Sequence, residues 1–229
     1  MNGLKQIRIN KDLKKYVEEN ILPEYALNDE GHNENHIKLV LDRAFELAEN
    51  HDVDYDMIYL IVCYHDITCH INREKHEVLS AERLLKDNNL KRFFKDEQIQ
   101  IMKEAVEDHR ASLDYVPRNI YGKILSSADR KVDIFDYMKT SMFFHKKKFP
   151  NATEDEMIEH SYKHAIKKFG KNGYAVTKFY IEDKKYQSFL DEIQGLIEDK
   201  EEYIKRAKEV LKKVRKGDSN GWFSKQGWY

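Results

Sequence analysis

Four histidines and two aspartates stand where apolar stretches of this sequence begin or end. His65-Asp66 closes the most apolar run in the chain. A carboxylate at the edge of a buried helix is costly unless it is paired or binds a cation. His36 opens the amphipathic stretch before it, His76 and Asp129 open or interrupt other apolar faces, and His109 closes one. Imidazole nitrogen with carboxylate oxygen suits Zn, Mn, Fe, Co or Ni, with Mg favoured where oxygen dominates. Cys63 and Cys69 offer sulfur, but their spacing is not that of a zinc finger. His160 and His164, four apart on one helical face, have chelating spacing without a neighbouring carboxylate. We read them as packing, or as a lid with Lys171 and Tyr174. His32, His51, His70 and His145 read as surface residues, and Lys146-Lys147-Lys148 as a solvated helix end.

The elements that must position these groups are helical almost throughout. Leu13 and Val17 suggest an entry helix, and Ile37 to Ala48 traces one face of an amphipathic helix. Met57 to Val62 predicts a helix buried on most sides. Val78 to Leu85 and Ile99 to Val106 give two more core helices, and Ile120 to Met138 gives a long one after Pro117. Thr153 and Glu156 have capping-box spacing for a helix ending near Phe169. Ala175 to Ile181 reads as a short strand or extended lid, and a final helix spans about 187–214. The expectation is one all-α domain with a core over about 28–140, a helical extension over about 150–214 and an aromatic tail, 217–229. That tail could dock on the body or on another subunit of a homo-oligomer.

Composition narrows the functional classes. With 40 Lys+Arg against 41 Asp+Glu, the net charge of -1 gives no general pull towards nucleic acid or anionic lipid. Hydrophobic residues at 41% supply a core, and only 3 Pro and 9 Gly in 229 residues favour long helices. No run reaches the roughly 18 apolar residues of a membrane span. The opening residues lack the apolar centre of an export signal, and two cysteines make no disulfide framework, so the reading places the protein in a reducing cytoplasm.

The order His36, His65-Asp66, Asp129 resembles the HD-domain superfamily of metal-dependent phosphohydrolases. The local contexts that carry the likeness are His36-Ile37-Lys38-Leu39-Val40 ahead of Arg43-Ala44, then Tyr64-His65-Asp66-Ile67, then Ala128-Asp129-Arg130. The runs Glu107-Asp108-His109-Arg110-Ala111-Ser112 and Pro117-Arg118-Asn119-Ile120-Tyr121-Gly122-Lys123 are similar to an uncharacterised bacterial branch of that superfamily. The resemblance implies an HD helical bundle with one divalent ion held by His36, His65, Asp66 and Asp129. It also implies a second ion at His76 and His109, bridged by Asp66, which would act catalytically. The short interval from Asp66 to His76 departs from the cyclic-dinucleotide branch and argues against that substrate. Arg110, Lys123, Arg118 and Arg130 are placed by motif position as phosphate contacts. Asp133, one turn beyond Asp129 on a continuing helix, is expected to orient a ligand.

The activity so implied is hydrolysis of a phosphate ester or anhydride of a small metabolite, chosen here as a nucleotide, with one or two ions among Mn, Fe, Zn, Co, Ni and Mg. The same six ligands would serve a di-iron oxygenase of this superfamily, and a non-catalytic nucleotide-sensing module is the third reading.

Overall fold

The computed structural model describes residues 7–28 and 30–215, and the tail at 217–229 lies outside them. Every regular element among the described residues is helical, so the fold is all-α. The chain forms two compact units: one runs to Arg130 and also takes Lys178–Asp183, and the other takes Lys131–Thr177 and Lys184 onward. The division falls at Arg130, inside the span read as the core.

The first unit contains α1 (Lys11–Asn20), α2 (Glu34–Ala48), α3 (Tyr55–Tyr64), α4 (His76–Leu85), α5 (Asp96–Glu107) and α6 (Ile120–Ala128), with short 3-10 turns at Leu22–Leu27, Glu30–His32 and Asn88–Arg92. Residues Met57 to Tyr64 are all buried, so α3 is the central helix, packed against α2, α5 and α6. Burying each large aliphatic side chain there contributes about 1.5–3 kcal/mol. α6 lies close to α5 because Gly122 has no side chain: a Cβ there would stand 3.1 Å from Pro117 Cβ and 3.3 Å from Ala105 Cα. Asn119 caps α6 by accepting from the Gly122 amide at 2.9 Å.

The second unit packs α7 (Ile134–Lys148), α8 (Glu154–Phe169), α9 (Lys184–Glu198) and α10 (Lys200–Arg215) around a core of aliphatic side chains and methionines with an aromatic cluster among them. Phe169 sits edge-on to Tyr137 and Phe189, each with ring centres 5.1 Å away. Thr153 and Glu156 form the expected capping box of α8.

Four expectations change. The stretch Ile120 to Met138 is two helices, because Asp129 ends α6 and Asp133 caps α7. The final stretch is also two, broken at Asp199, whose carboxylate accepts from the Glu202 amide at 3.0 Å. Residues 175–181 form no strand, and Lys178–Asp183 joins the first unit as a non-helical strap. Val78 and Leu85, read as core, are exposed, while Glu77 and Ser80 of the same helix are buried.

Candidate metal centre

Each ligand candidate sits at the end of a helix, where the chain leaves regular structure and its side chains can converge. His65 and Asp66 follow α3 directly. Tyr25, fully buried, ties that end down: its hydroxyl donates to the Cys63 carbonyl at 3.0 Å and accepts from the Asp66 amide at 3.3 Å. His36 lies in the first turn of α2, whose cap Asn33 accepts from its amide at 3.3 Å. His76 begins α4, and Thr68 holds it close to the dipeptide. The Thr68 hydroxyl donates to the His76 carbonyl at 3.1 Å and lies 2.9 Å from Ser80 Oγ. His109 follows Asp108, which ends α5, and Asp129 ends α6.

These six side chains meet around one carboxylate. Asp66 Oδ2 lies 3.5 Å from His36 Nε2 and 3.3 Å from His65 Nε2. Asp129 Oδ1 joins that side, 3.1 Å from His36 Nε2 and 3.8 Å from His65 Nε2. On the other side, Asp66 Oδ1 lies 3.2 Å from His76 Nε2 and 3.7 Å from His109 Nε2. Asp66 therefore stands between two donor groups, one of two imidazoles and a carboxylate, the other of two imidazoles.

The far nitrogens of three rings are already committed. His65 Nδ1 meets the Val62 carbonyl at 2.7 Å, His76 Nδ1 the Arg73 carbonyl at 2.9 Å, and His109 Nδ1 the Val106 carbonyl at 2.6 Å. A carbonyl only accepts, so each Nδ1 carries a proton, which leaves Nε2 as the nitrogen of each ring that faces the centre. His76 Nε2 and His109 Nε2 face each other at 3.2 Å with a carboxylate oxygen alongside. That arrangement fits a cation, and N,O donors with locked tautomers suit a divalent transition metal.

The charges agree. Burial favours the neutral form of Asp66, but the charge of His65 and hydrogen bonds from His109, His36 and His65 hold its carboxyl well below the usual range. Asp129 is likewise held down against burial, mainly by His36. For His36 burial pulls the other way, yet hydrogen bonds and charge from Asp129 and Asp66 raise it to about 9.

The basic candidates separate. Arg110 reaches the rim near His76, its Nη1 2.7 Å from the Glu74 carbonyl and 3.3 Å from Glu77 Oε1. Arg130 follows Asp129 and lies 5.3 Å from the centre of the Tyr180 ring, with Nε donating to the Ser126 carbonyl at 3.2 Å. Arg118 is instead a structural ion pair: its amide and guanidinium enclose the buried Asp108 carboxylate at 2.7–3.1 Å, with Glu107 alongside. Lys123 lies on α6 about 9 Å along the axis from Asp129. Asp133 belongs to the second unit and caps α7, accepting from the Asp136 amide at 2.8 Å, so it is not one turn beyond Asp129 on the same helix.

Sequence reading passed over Thr68, Ser80, Asn28 and Arg73. A threonine two residues after the dipeptide and a serine one turn into the next helix are ordinary residues there, and only their hydrogen bond shows their purpose. Arg73 was signalled by its place three residues before His76, the spacing at which a carbonyl can accept from that ring. In the second unit, His160 and His164 form no three-ligand cluster among the described residues; their rings stack at 6.3 Å, with His145 4.3 Å from His160.

No helix among the described residues is long and apolar enough to cross a membrane. No protein-family model matches the chain, and no curated protein matches it either. The chain is similar to the crystal structure of a predicted HD superfamily hydrolase from an uncultured Thermotogales bacterium, with 22% identity over 68% of this chain and 86% of that one, at a TM-score of 0.44.

Proposed function

We propose that this protein is a metal-dependent phosphohydrolase that cleaves a phosphate ester or anhydride of a small metabolite, a nucleotide being the preferred class. The observation that carries the reading is the placement of Asp66 between two sets of imidazoles whose Nε2 atoms converge on its two oxygens. His36, His65, Asp66 and Asp129 would hold one divalent ion, and Asp66, His76 and His109 a second.

When bound, such ions lower the pKa of water to about 7 and neutralise phosphoryl oxygens. The protein's own contribution is preorganisation. The backbone carbonyls of Val62, Arg73 and Val106 fix three tautomers, so the lone pairs need no rearrangement when the ligand arrives. Asp129 is the more open carboxylate, its side chain 28% exposed against 4% for Asp66. That carboxylate would accept a hydrogen bond from the attacking water and orient it. Arg110, at the rim, supplies a guanidinium for a phosphate oxygen, where planar bidentate contacts are strongest.

The test is a panel of nucleotides and phosphate monoesters with Mn, Co, Ni or Mg, run on wild type and Asp66→Ala. Metal-dependent phosphate release lost in the variant supports the reading. A folded wild type that releases phosphate with no metal overturns it, and an iron-loaded protein that consumes oxygen instead would put an oxygenase in its place.

A further inference from the structure

A third group of metal-ligating side chains lies beside the two just described and uses sulfur. One donor atom each from His32, Asp66 and Cys69 lies within 4.8 Å of the other two. Cys69 is half-buried, whereas the other cysteine, Cys63, is fully buried in α3. His32, expected at the surface, is also half-buried, and its ring stands edge-on to that of His36 with centres 5.8 Å apart.

The three come from two turns, His32 from one and Asp66 with Cys69 from the other, and one side chain binds the two together. Asn28 Nδ2 donates to the His32 carbonyl at 3.0 Å and to the Asp66 carbonyl at 2.9 Å, while Asn28 Oδ1 accepts from the His70 amide at 2.9 Å. The Cys69 amide in turn donates to the Asp66 carbonyl at 3.0 Å. The backbone behind all three donors is thus cross-linked before any ligand arrives, as a preorganised site requires.

We propose that Cys69, His32 and Asp66 form a third divalent-cation site, with a thiolate ligand, at the lip of the centre. Thiolate and imidazole select borderline and soft ions such as Zn, Co and Fe(II) over Mg or Ca. The cysteine loses its proton on binding, as a zinc or cobalt thiolate does. Arg73 reaches the same imidazole, its Nη1 2.8 Å from His32 Nδ1 and 2.9 Å from Nε2, so an arriving ion displaces the guanidinium.

The proposal rests on Asp66 being a metal-binding carboxylate, and cobalt titration of the full chain separates the two readings. Spectroscopy should show a near-ultraviolet thiolate-to-cobalt charge-transfer band. Native mass spectrometry should show one cobalt fewer in Cys69→Ser and in His32→Ala, with the visible ligand-field bands of the remaining ions retained. Arg73→Ala, which removes the competing cation, should bring the band in at lower cobalt concentration. Cobalt bound without a charge-transfer band, or an unchanged stoichiometry in both variants, overturns the third site. A wild type that binds no cobalt at all overturns the reading of Asp66 itself.

Discussion

The two units bury different kinds of side chain. In the first, the buried polar groups include His65, Asp66, Thr68, Glu77, Asp87, Asp108, His109 and Asp183. In the second, the described buried polar side chains are two serines, Ser141 and Ser161, in a core of phenylalanine, tyrosine and aliphatic residues. Removing a charge from water costs several kcal/mol unless partners return it, so the first unit is built around compensation. Asp108 is enclosed by Arg118, and Asp87 accepts from Tyr64 at 2.6 Å and from Tyr16. Asp66 differs in kind, because its partners are four imidazoles, side chains that can also ligate a cation. Buried charge with a dedicated counterion is architecture; buried charge among facing imidazoles is chemistry.

Asp66→Ala attacks the contrast most directly. It should abolish metal retention and reduce phosphate release to background, read by elemental analysis and a phosphate assay; a variant keeping full metal content would remove the special status of this carboxylate. Phe169→Ala should act on the other unit, costing about 3–5 kcal/mol in urea unfolding while metal content per folded chain stays unchanged. Metal lost in proportion to stability would mean that the two kinds of core are not separable. Thr68→Val keeps the shape but deletes the hydroxyl that holds His76, and should weaken metal affinity by about ten- to a hundredfold with little change in Tm. Equal affinity by competition with a chelator would show that the His76 backbone is held by other means.

The smallest effect is a pH dependence in the second unit. Burial, followed by the charges of Lys168, His160 and Lys167, lowers His164 to about 4, and Tyr137 Oη lies 3.0 Å from its Nδ1. The unfolded chain, with an ordinary histidine near 6.5, takes up that proton first. The contribution of His164 is therefore intact above about pH 6.5 and is lost as pH falls towards 4. In His164→Gln the decline of Tm over that interval should be shallower. Parallel declines in variant and wild type would assign the acid sensitivity elsewhere.

Much of this was legible in the chain. The apolar periodicities of α2, α3 and α5 and the capping box of α8 located helices because each buries one regular face. The breaks at Asp129–Asp133 and Asp199 carry neither glycine nor proline; aspartates end and start those helices by capping, which a periodicity scan reads straight through. The ligand order located His36, His65, Asp66, His76, His109 and Asp129, and the structure brings all six together. The basic residues were less legible, because Arg118 and Arg110 are alike in sequence, and only their partners separate them: Arg118 encloses the buried Asp108 with amide and guanidinium, whereas Arg110 meets Glu77 through one nitrogen.

The strap Lys178–Asp183 has a consequence for biosynthesis. Asp183 is the buried carboxylate that pairs with Arg43, and Lys178 donates to the Ala111 and Leu113 carbonyls just past His109. A ribosome that has finished Arg130 has supplied all six candidate ligands, yet the guanidinium on α2 has only Glu46, at 3.0 Å, and still awaits its buried partner Asp183. Emerging from the exit tunnel, the first unit reaches its final form only after the intervening helices have been translated, so order of synthesis and order of completion differ in this molecule.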